Sequence, residues 1–384
     1  MAKKLRVGII FGGRSGEHEV SVRSARSVIE AIDRKRFEVV PIAISKEGKW
    51  LAPAEAAGLF PKSTQALFKD SAATRTGSTV AILGDPSHKG LVSLASNDAT
   101  QSAPGSRTSF PLDVVLPVLH GPFGEDGTLQ GLLEMANIPY VGCGVLASSC
   151  GMDKVTMKAL FRDAGLPICR YVWFLRSHWI NDQARVIRRV AREIGFPCFI
   201  KPANLGSSVG VSRATNKETL IQAVGLAARY DRKIIVEEAL DAREIECAII
   251  GNDKPVASLP GEYVVHDEQA RFLDYNEKYA STGHVEFIVP APLSKALTGK
   301  IQKMAIGAFQ AIDGSGLARV DFFLRRDTKE LVINELNTMP GLTEVSGFPK
   351  MWAASGTKFP KVLDQLIELA FARHCDKLLN KTSL

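Results

Sequence analysis

The sequence predicts a mixed α/β chain that opens on a doubly wound, mostly parallel sheet and continues into two further lobes. Three observations point there. The first 44 residues read strand, glycine turn, helix, strand. A serine–glycine loop, KPANLGSSVGVS at 201–212, sits between two short strands. A strand pair at 316–341, GLARVDFFLRRDTKELVINELNTMPG, carries charged side chains inside apolar runs.

Taken in order, Arg6–Phe11 is an apolar run of strand length and Gly12–Gly16 is a glycine turn. The next helix places Val28, Ile29 and Ile32 at helical spacing, and Phe37–Ile44 is the second strand. A β-loop-α-β opening of this kind starts a doubly wound sheet. From about Ala52 to Ser109 the composition shifts to Ala, Ser, Thr, Gly and Pro with weak periodicity. That predicts a peripheral insertion with one small hairpin around Ser78–Leu83. Asp113–Leu119 returns to strand and ends in HGPFGEDGTLQG, and Leu129–Ala136 is the next helix. After Gly142–Gly144, MDKVTMKALFRDAGLP is a helix stopped by Gly165, with Pro167 beyond it.

A second domain begins with Tyr171–Leu175. It holds a helix around Ala184–Ile194, the strand Cys198–Lys201, the glycine loop and a helix around Glu218–Ala228. Lys233–Glu237 leads out of it. A third lobe carries Glu244–Ile250, a loop-rich stretch through Tyr279, and the strand pair. The helix around Pro360–Ala372 buries Val362, Leu363, Leu366, Ile367 and Leu369 and is structural. There are no internal repeats.

At 384 residues and 45% apolar, with mean hydropathy near zero, the chain suits two or three globular domains. The net charge of +7 is spread without a basic block or aromatic–basic interleaving, which argues against a nucleic-acid channel. It fits an anionic small molecule, although solubility alone explains it equally well. The six cysteines show no C-x-x-C pattern, so free thiols are expected. The N-terminal apolar run is too short for a signal peptide, and no segment approaches transmembrane length. Together these give the expectation of a cytoplasmic protein with no membrane contact.

On the first strand of the pair, alternation puts Arg319, Asp321 and Phe323 on one face, opposite Val320, Phe322 and Leu324. On the second it puts Leu331, Ile333, Glu335 and Asn337 together. Folding about Arg326–Lys329 brings Asp321 opposite Glu335. Two facing carboxylates repel, and a carboxylate, carboxylate, amide cluster on a largely buried sheet suits Mg²⁺. Arg319 adds a fixed positive charge of the kind phosphoryl chemistry uses.

In the serine–glycine loop, Gly206 and Gly210 permit close backbone approach, while Ser207 and Ser208 add donors. It lacks G-K-[ST] and is no Walker A loop. Lys154 starts a helix, Lys201 ends an apolar strand, and Lys278 lies in EKYAS. Any one lysine is usually solvated; three near such a loop favour a phosphate site. The run Glu237-Glu238-Ala239-Leu240 ends a strand as a base-holding hinge would, with Glu244 spaced to reach ribose hydroxyls.

Eight segments in order make the chain resemble the ATP-grasp enzymes, and within them the D-alanine–D-alanine ligase family. They are GGRSGEHEVS, HGPFGEDGTLQG, MDKVTMK, KPANLGSSVGVS, EEALDAREIE, EKYAS, ARVDFF and INELNTMPGLTEVS. The resemblance implies an α/β and α+β ATP-grasp architecture. Residues 1–145 would form a Rossmann-like substrate domain with an insertion at about 52–110. Residues 146–238 would form a small central domain with a phosphate lid, and residues 239–384 a C-terminal domain with the metal site.

It further implies that Asp321, Glu335 and Asn337 hold two Mg²⁺, for which Mn²⁺ would substitute. Lys154 and Lys201 would meet the α/β-phosphates of ATP and Lys278 the β/γ region. Ser207 and Ser208 would close over them, and Asn334 would lie beside the nucleotide. Glu237, Glu238, Leu240 and Phe272 would border the adenine, with Glu244 on the ribose. The implied reaction joins two D-alanines through an acylphosphate. Arg319 and the Gly341 N–H would stabilise the oxyanion, Glu17 would hold the first ammonium, Ser346 the second carboxylate, and His120 would lie near the first substrate. Glu17, Ser207 and Tyr279 would form a hydrogen-bonded triad. A homodimer and a role in peptidoglycan precursor synthesis are implied as well.

One departure is Asn204-Leu205, where many relatives carry a charge in the lid. Rival readings are a D-alanine–D-lactate ligase, a silent nucleotide-binding regulator, and a dehydrogenase. The last is disfavoured because Gly12–Gly16 lacks G-x-G-x-x-G spacing.

Overall fold

The computed structural model describes residues 3–68, 79–94, 109–265 and 285–381. The opening is as predicted. β1 (Leu5–Gly12) and β2 (Phe37–Ile44) are parallel and joined by α1 (His18–Ala31). A short β3 (Trp50–Leu51) pairs antiparallel with β2.

The insertion continues as α2 (Pro53–Gly58) and α3 (Lys62–Gln65). It then forms an antiparallel sheet of β4 (Thr79–Ile82), β5 (Gly90–Leu94) and β6 (Ser109–Pro111). The hairpin expected at 78–83 is therefore one strand, whose partner lies at β5. These strands are so short that alternation along each gives almost no signal. β7 (Val114–Leu119) then returns beside β1, giving the order β3-β2-β1-β7. Next come α4 (Thr128–Met135), α5 (Val145–Met152) and α6 (Lys154–Asp163). Asp153 caps α6, accepting from the Val155 and Thr156 N–H groups at 3.0 Å each.

The second sheet comprises β8 (Tyr171–Leu175), β9 (Cys198–Pro202), β10 (Ser212–Ala214) and β11 (Lys233–Glu238). Its order is β10-β9-β11-β8, antiparallel throughout. Helices α7 (Arg176–Asn181), α8 (Gln183–Glu193) and α9 (Lys217–Tyr230) belong to the same unit. Val186, Val190, Leu220 and Val224, from α8 and α9, cover one face over Ile200, Ile234 and Val236. On the other face Ile235 packs with Val155 of α6, and Lys201 and Glu237 point the same way.

The third sheet runs β15-β14-β12-β16-β17, with β13 paired to β12. Its strands are β12 (Ala242–Gly251), β13 (Val256–Ala257), β14 (Gly261–Val265), β15 (Val285–Ile288), β16 (Gly316–Arg325) and β17 (Leu331–Asn337). Helix α10 (Lys295–Ala311) packs Ile301, Met304 and Phe309 against Val320, Phe322 and Leu336, with Met157 and Phe161 of α6 in the same core. Helices α11 (Gly347–Ala354) and α12 (Phe359–Lys377) close the chain. As expected, α12 buries Val362, Leu363, Leu366 and Ile367. They sit in one core with Val7 and Ile9 of β1 and Ile250 of β12, so the first and third sheets share an interior.

The strand pair departs from simple alternation. Asp321 faces Glu335, as predicted, but the next pair is Phe322 with Ile333. Asn334 is the extra residue of a β-bulge, and a bulge switches the facing of everything beyond it. Leu331 and Ile333, expected beside Glu335, are instead buried with Phe322 and Leu324. Of the four residues expected together, Glu335 and Asn337 remain on the Arg319 and Asp321 face.

Candidate functional site

One cleft gathers Glu17, His120, Ser207, Ser208, Glu244, Arg319, Asp321, Asn334, Glu335, Asn337 and Gly341 from loops and strands far apart in sequence. Its floor is the β16–β17 pair. Arg319 forks onto Asp321, with Nε donating to Oδ1 at 2.7 Å and Nη2 to Oδ2 at 2.6 Å. The same Nε lies 3.2 Å from Oε1 of Glu246. Glu246 was not a sequence candidate. Its signal was parity, since it is two residues from Glu244 on the same face of β12 and directly opposite Asp321.

Asp321, Glu335 and Asn337 place hard oxygen donors on one face, a donor set that fits Mg²⁺. Among the described residues no group of three or more His, Cys, Asp or Glu side chains is poised around a metal. The third donor here is an amide, and its Oδ1 already accepts from the Met339 N–H at 3.0 Å.

Lysines crowd the side toward the second sheet. Lys154 donates to the Leu205 carbonyl at 2.7 Å and lies 3.5 Å from Oε2 of Glu335. Lys201 pairs with Oε2 of Glu237 at 2.6 Å. Lys158 pairs with the other oxygen at 3.0 Å and is wholly buried. Burial alone would raise the Glu237 pKa, but the two ammonium charges outweigh it and hold the carboxyl down at about 2. Both lysines are in turn pushed above their ordinary value, burial opposing and Glu237 prevailing.

The hinge expectation changes accordingly. Successive strand residues face opposite ways, so Glu237 and Glu238 cannot both line one site. The Glu237 carboxylate faces the lysines, while Glu238 accepts from the Arg170 backbone N–H at 2.8 Å and pairs with the Arg170 and Arg325 side chains. Their backbone, with half-buried Leu240, is what remains at the strand end for a base.

The opposite wall comes from the first sheet's loops and the 203–211 loop. The Ser207 hydroxyl donates to Glu17, joining the two. Ser207 and Ser208 adopt left-handed φ of 52° and 56°, a conformation non-glycine residues rarely take. His120 Nδ1 donates to the Met339 carbonyl at 3.1 Å, while its buried Nε2 has no partner among the described residues. Burial pushes this imidazole below its ordinary pKa against the pull of Glu17. Glu125, in the HGPFGEDG segment but not a candidate from sequence, also lines the cleft. Its Oε1 accepts from the Gly121 N–H at 2.8 Å. Burial first, then the Glu17 charge, raises its carboxyl to about 8.

Ser346 does not line the cleft but sits beside Gly341, which does. It is buried, bonded to the Thr343 hydroxyl at 2.7 Å, and so close to Gly341 that a Cβ there would meet its Oγ at 2.8 Å. Phe272, Lys278 and Tyr279 lie outside the described residues.

Two family models match this chain. "D-ala D-ala ligase N-terminus" covers residues 6–143 and "D-ala D-ala ligase C-terminus" covers 160–368. A D-alanine–D-alanine ligase of Heliobacterium modesticaldum is 47% identical over 379 residues, spanning 99% of this chain and 98% of the relative. One from Geobacillus kaustophilus is 46% identical over 374 residues, 97% of this chain and 96% of the relative. Among solved structures, the D-alanine-D-alanine ligase from Coxiella burnetii superposes with a TM-score of 0.78 at 33% identity, covering 98% of both chains. The VanG D-Ala:D-Ser ligase from Enterococcus faecalis gives 0.79 at 33%, covering 96% of this chain and all of that one. The ATP-grasp architecture expected from sequence is therefore the fold observed.

Proposed function

Because this chain belongs to the D-alanine–D-alanine ligase family, we propose that it joins two D-alanines into D-alanyl-D-alanine with ATP, supplying peptidoglycan precursor synthesis. The observation that carries the reading is the convergence in one cleft of the Arg319–Asp321–Glu335–Asn337 face and the Glu17–Ser207 contact, with Lys154 reaching Glu335 from the adjoining pocket.

In the first step the carboxylate of one D-alanine attacks the γ-phosphate and ADP leaves, giving an acylphosphate. The amine of the second D-alanine then attacks the acyl carbon, phosphate leaves, and the amine proton is lost. Mg²⁺ held by Asp321, Glu335 and Asn337 would neutralise phosphate charge and orient the transferring group; Mn²⁺ has the same oxygen preference. Lys154 and Lys201 supply positive charge on the nucleotide side. Arg319, with the Gly341 N–H, faces the oxyanion that forms at the acyl carbon. Glu17 receives the first ammonium and the Ser207 hydroxyl closes that contact. His120, its Nδ1 donating to the Met339 carbonyl, keeps Nε2 on the first substrate's side of the cleft. Ser346 receives the second carboxylate.

The domain division is 1–145, 146–238 and 239–384, matching the three large sheets, with ATP between the last two. The working form is a cytoplasmic homodimer. No described helix is long and apolar enough to cross a membrane.

Phosphate release from ATP tests the reading, measured with D-alanine alone and with D-serine or D-lactate added, the products being identified. Release that requires D-alanine and yields the dipeptide supports it. Release indifferent to D-alanine overturns it, and a mixed ester or D-alanyl-D-serine as main product moves the chain to a rival ligase.

A further inference from the structure

Helix α6 does more than fill space beneath the third sheet. β17 is an edge strand of that sheet, and an edge strand leaves backbone groups to be satisfied from elsewhere. The Asn334 carbonyl, belonging to the bulge residue with no counterpart in β16, accepts from Lys158 Nζ at 2.8 Å. The Leu336 N–H, two residues on, points at Met157 Sδ at 3.2 Å. One turn earlier on the same helix, Lys154 reaches the carboxylate of Glu335, the residue between them. Three side chains of one helix thus hold Glu335 from above, below and at its head.

Lys158 is unusual among them. It is a lysine with no solvent exposure, and a buried ammonium is tolerated only when paired and hydrogen-bonded. Its partners belong to three different elements: Asn334 in β17, Glu237 in β11 and, at 3.5 Å, Cys169 before β8. Through Glu237 it is connected to Lys201 on the nucleotide side. A solvated lysine would contact none of these, and a purely apolar filler such as Leu would fit the helix face as well.

We infer that Lys158 is a positioning residue for the ligation. It fixes the bulge that turns Glu335 and Asn337 toward Asp321, and it ties that metal-holding face to the phosphate-side Lys201. The inference rests on the ligase reading and on Asp321, Glu335 and Asn337 being the divalent-cation donors. Lys158 does not line the cleft.

The test compares Lys158→Met with wild type and with Glu335→Gln. The readout is Mn²⁺ binding in the presence of ADP, followed by electron paramagnetic resonance at a temperature where each protein is folded. Outer groups that orient metal ligands typically govern affinity on the order of 10–100-fold, and a loss of that size is expected for Lys158→Met. In steady state the apparent Mg²⁺ requirement and KM for ATP should rise while KM for D-alanine stays within about twofold. A lowered melting temperature with unchanged Mn²⁺–ADP affinity would make Lys158 merely structural and overturn the inference. If Glu335→Gln also leaves that affinity unchanged, the metal assignment itself falls. Should Lys158→Met fail to fold, Lys158→Gln, which keeps an N–H donor without the charge, is measured the same way and read by the same two outcomes.

Discussion

The two walls of the cleft are built on opposite electrostatic plans. The sheet wall holds its ionisable groups charged and paired, with Arg319 forked onto Asp321, and Lys158 and Lys201 clasping Glu237. On the loop wall burial disfavours charge, lowering the pKa of His120 and raising that of Glu125. The sheet wall is also built on regular elements, with Arg319, Asp321, Glu335, Asn337, Lys201 and Glu237 on strands and Lys158 on helix α6, whereas Ser207 and Ser208 sit on a loop in unfavourable backbone conformations. Permanent charge on a fixed surface suits phosphates and metal ions. Neutral, titratable groups beside a loop suit a substrate that must enter, exchange protons and leave.

The sharpest way to break this contrast is at the sheet. Glu335→Gln should nearly abolish ligation while the fold survives, because losing the carboxylate weakens Mg²⁺ binding and transition-state stabilisation together. Turnover close to wild type at moderate Mg²⁺, with an unchanged circular dichroism melt, would remove Glu335 from the metal site. Arg319→Lys keeps the charge but not the planar fork on Asp321. Ligation should fall on the order of 10²–10³-fold, the range for a lost oxyanion donor. Isotope scrambling within ATP should fall less, since acylphosphate formation precedes the oxyanion. Equal losses would place Arg319 in phosphoryl transfer instead.

On the loop wall effects should be milder. Ser207→Ala removes a hydroxyl that donates to a carboxylate, a bond of about 1.5–3 kcal/mol. KM for D-alanine should rise about tenfold or more with kcat moving less; a fall in kcat alone would detach the Glu17–Ser207 contact from substrate capture.

The smallest effect is one of pH on stability. The Glu125 carboxyl is raised in the fold to about 8 from an ordinary 4.5. A raised carboxyl contributes stability that is fully present below its unfolded value and lost as pH rises through the folded one. Melting temperature should therefore decline from about pH 5 to about pH 8 in wild type and decline less in Glu125→Gln. Parallel curves would show that Glu125 is already ionised across that range.

The sequence revealed the two walls unequally. β1, β2 and the β16–β17 pair were legible because apolar runs of strand length are bounded by glycine, and Asp321 was correctly set against Glu335. The bulge at Asn334 was not, since LVINELN reads equally well as an unbroken strand and nothing in it marks Asn334 as an extra residue. Helix α5 was hidden by small residues, and α10 by Gly299 and Gly307, which weaken any helical reading. Lys158 and Glu246 were missed for a shared reason. Each is a charged residue of a type usually found in water, and only the tertiary structure shows the partner that lets it be buried.

The core shared by β1, β12 and α12 has a consequence for how the chain reaches this structure. Val7 and Ile9 share one core with Val362, Leu363 and Ile367, residues almost the whole sequence away. Ala25, Val28 and Ile29 of α1 supply part of that core locally, but the rest of it comes from α12, far along the chain. Long-range closure of this kind slows folding and exposes intermediates to aggregation. A chain cut before α12 should therefore be less soluble than the whole, because it lacks the residues that complete the core around β1.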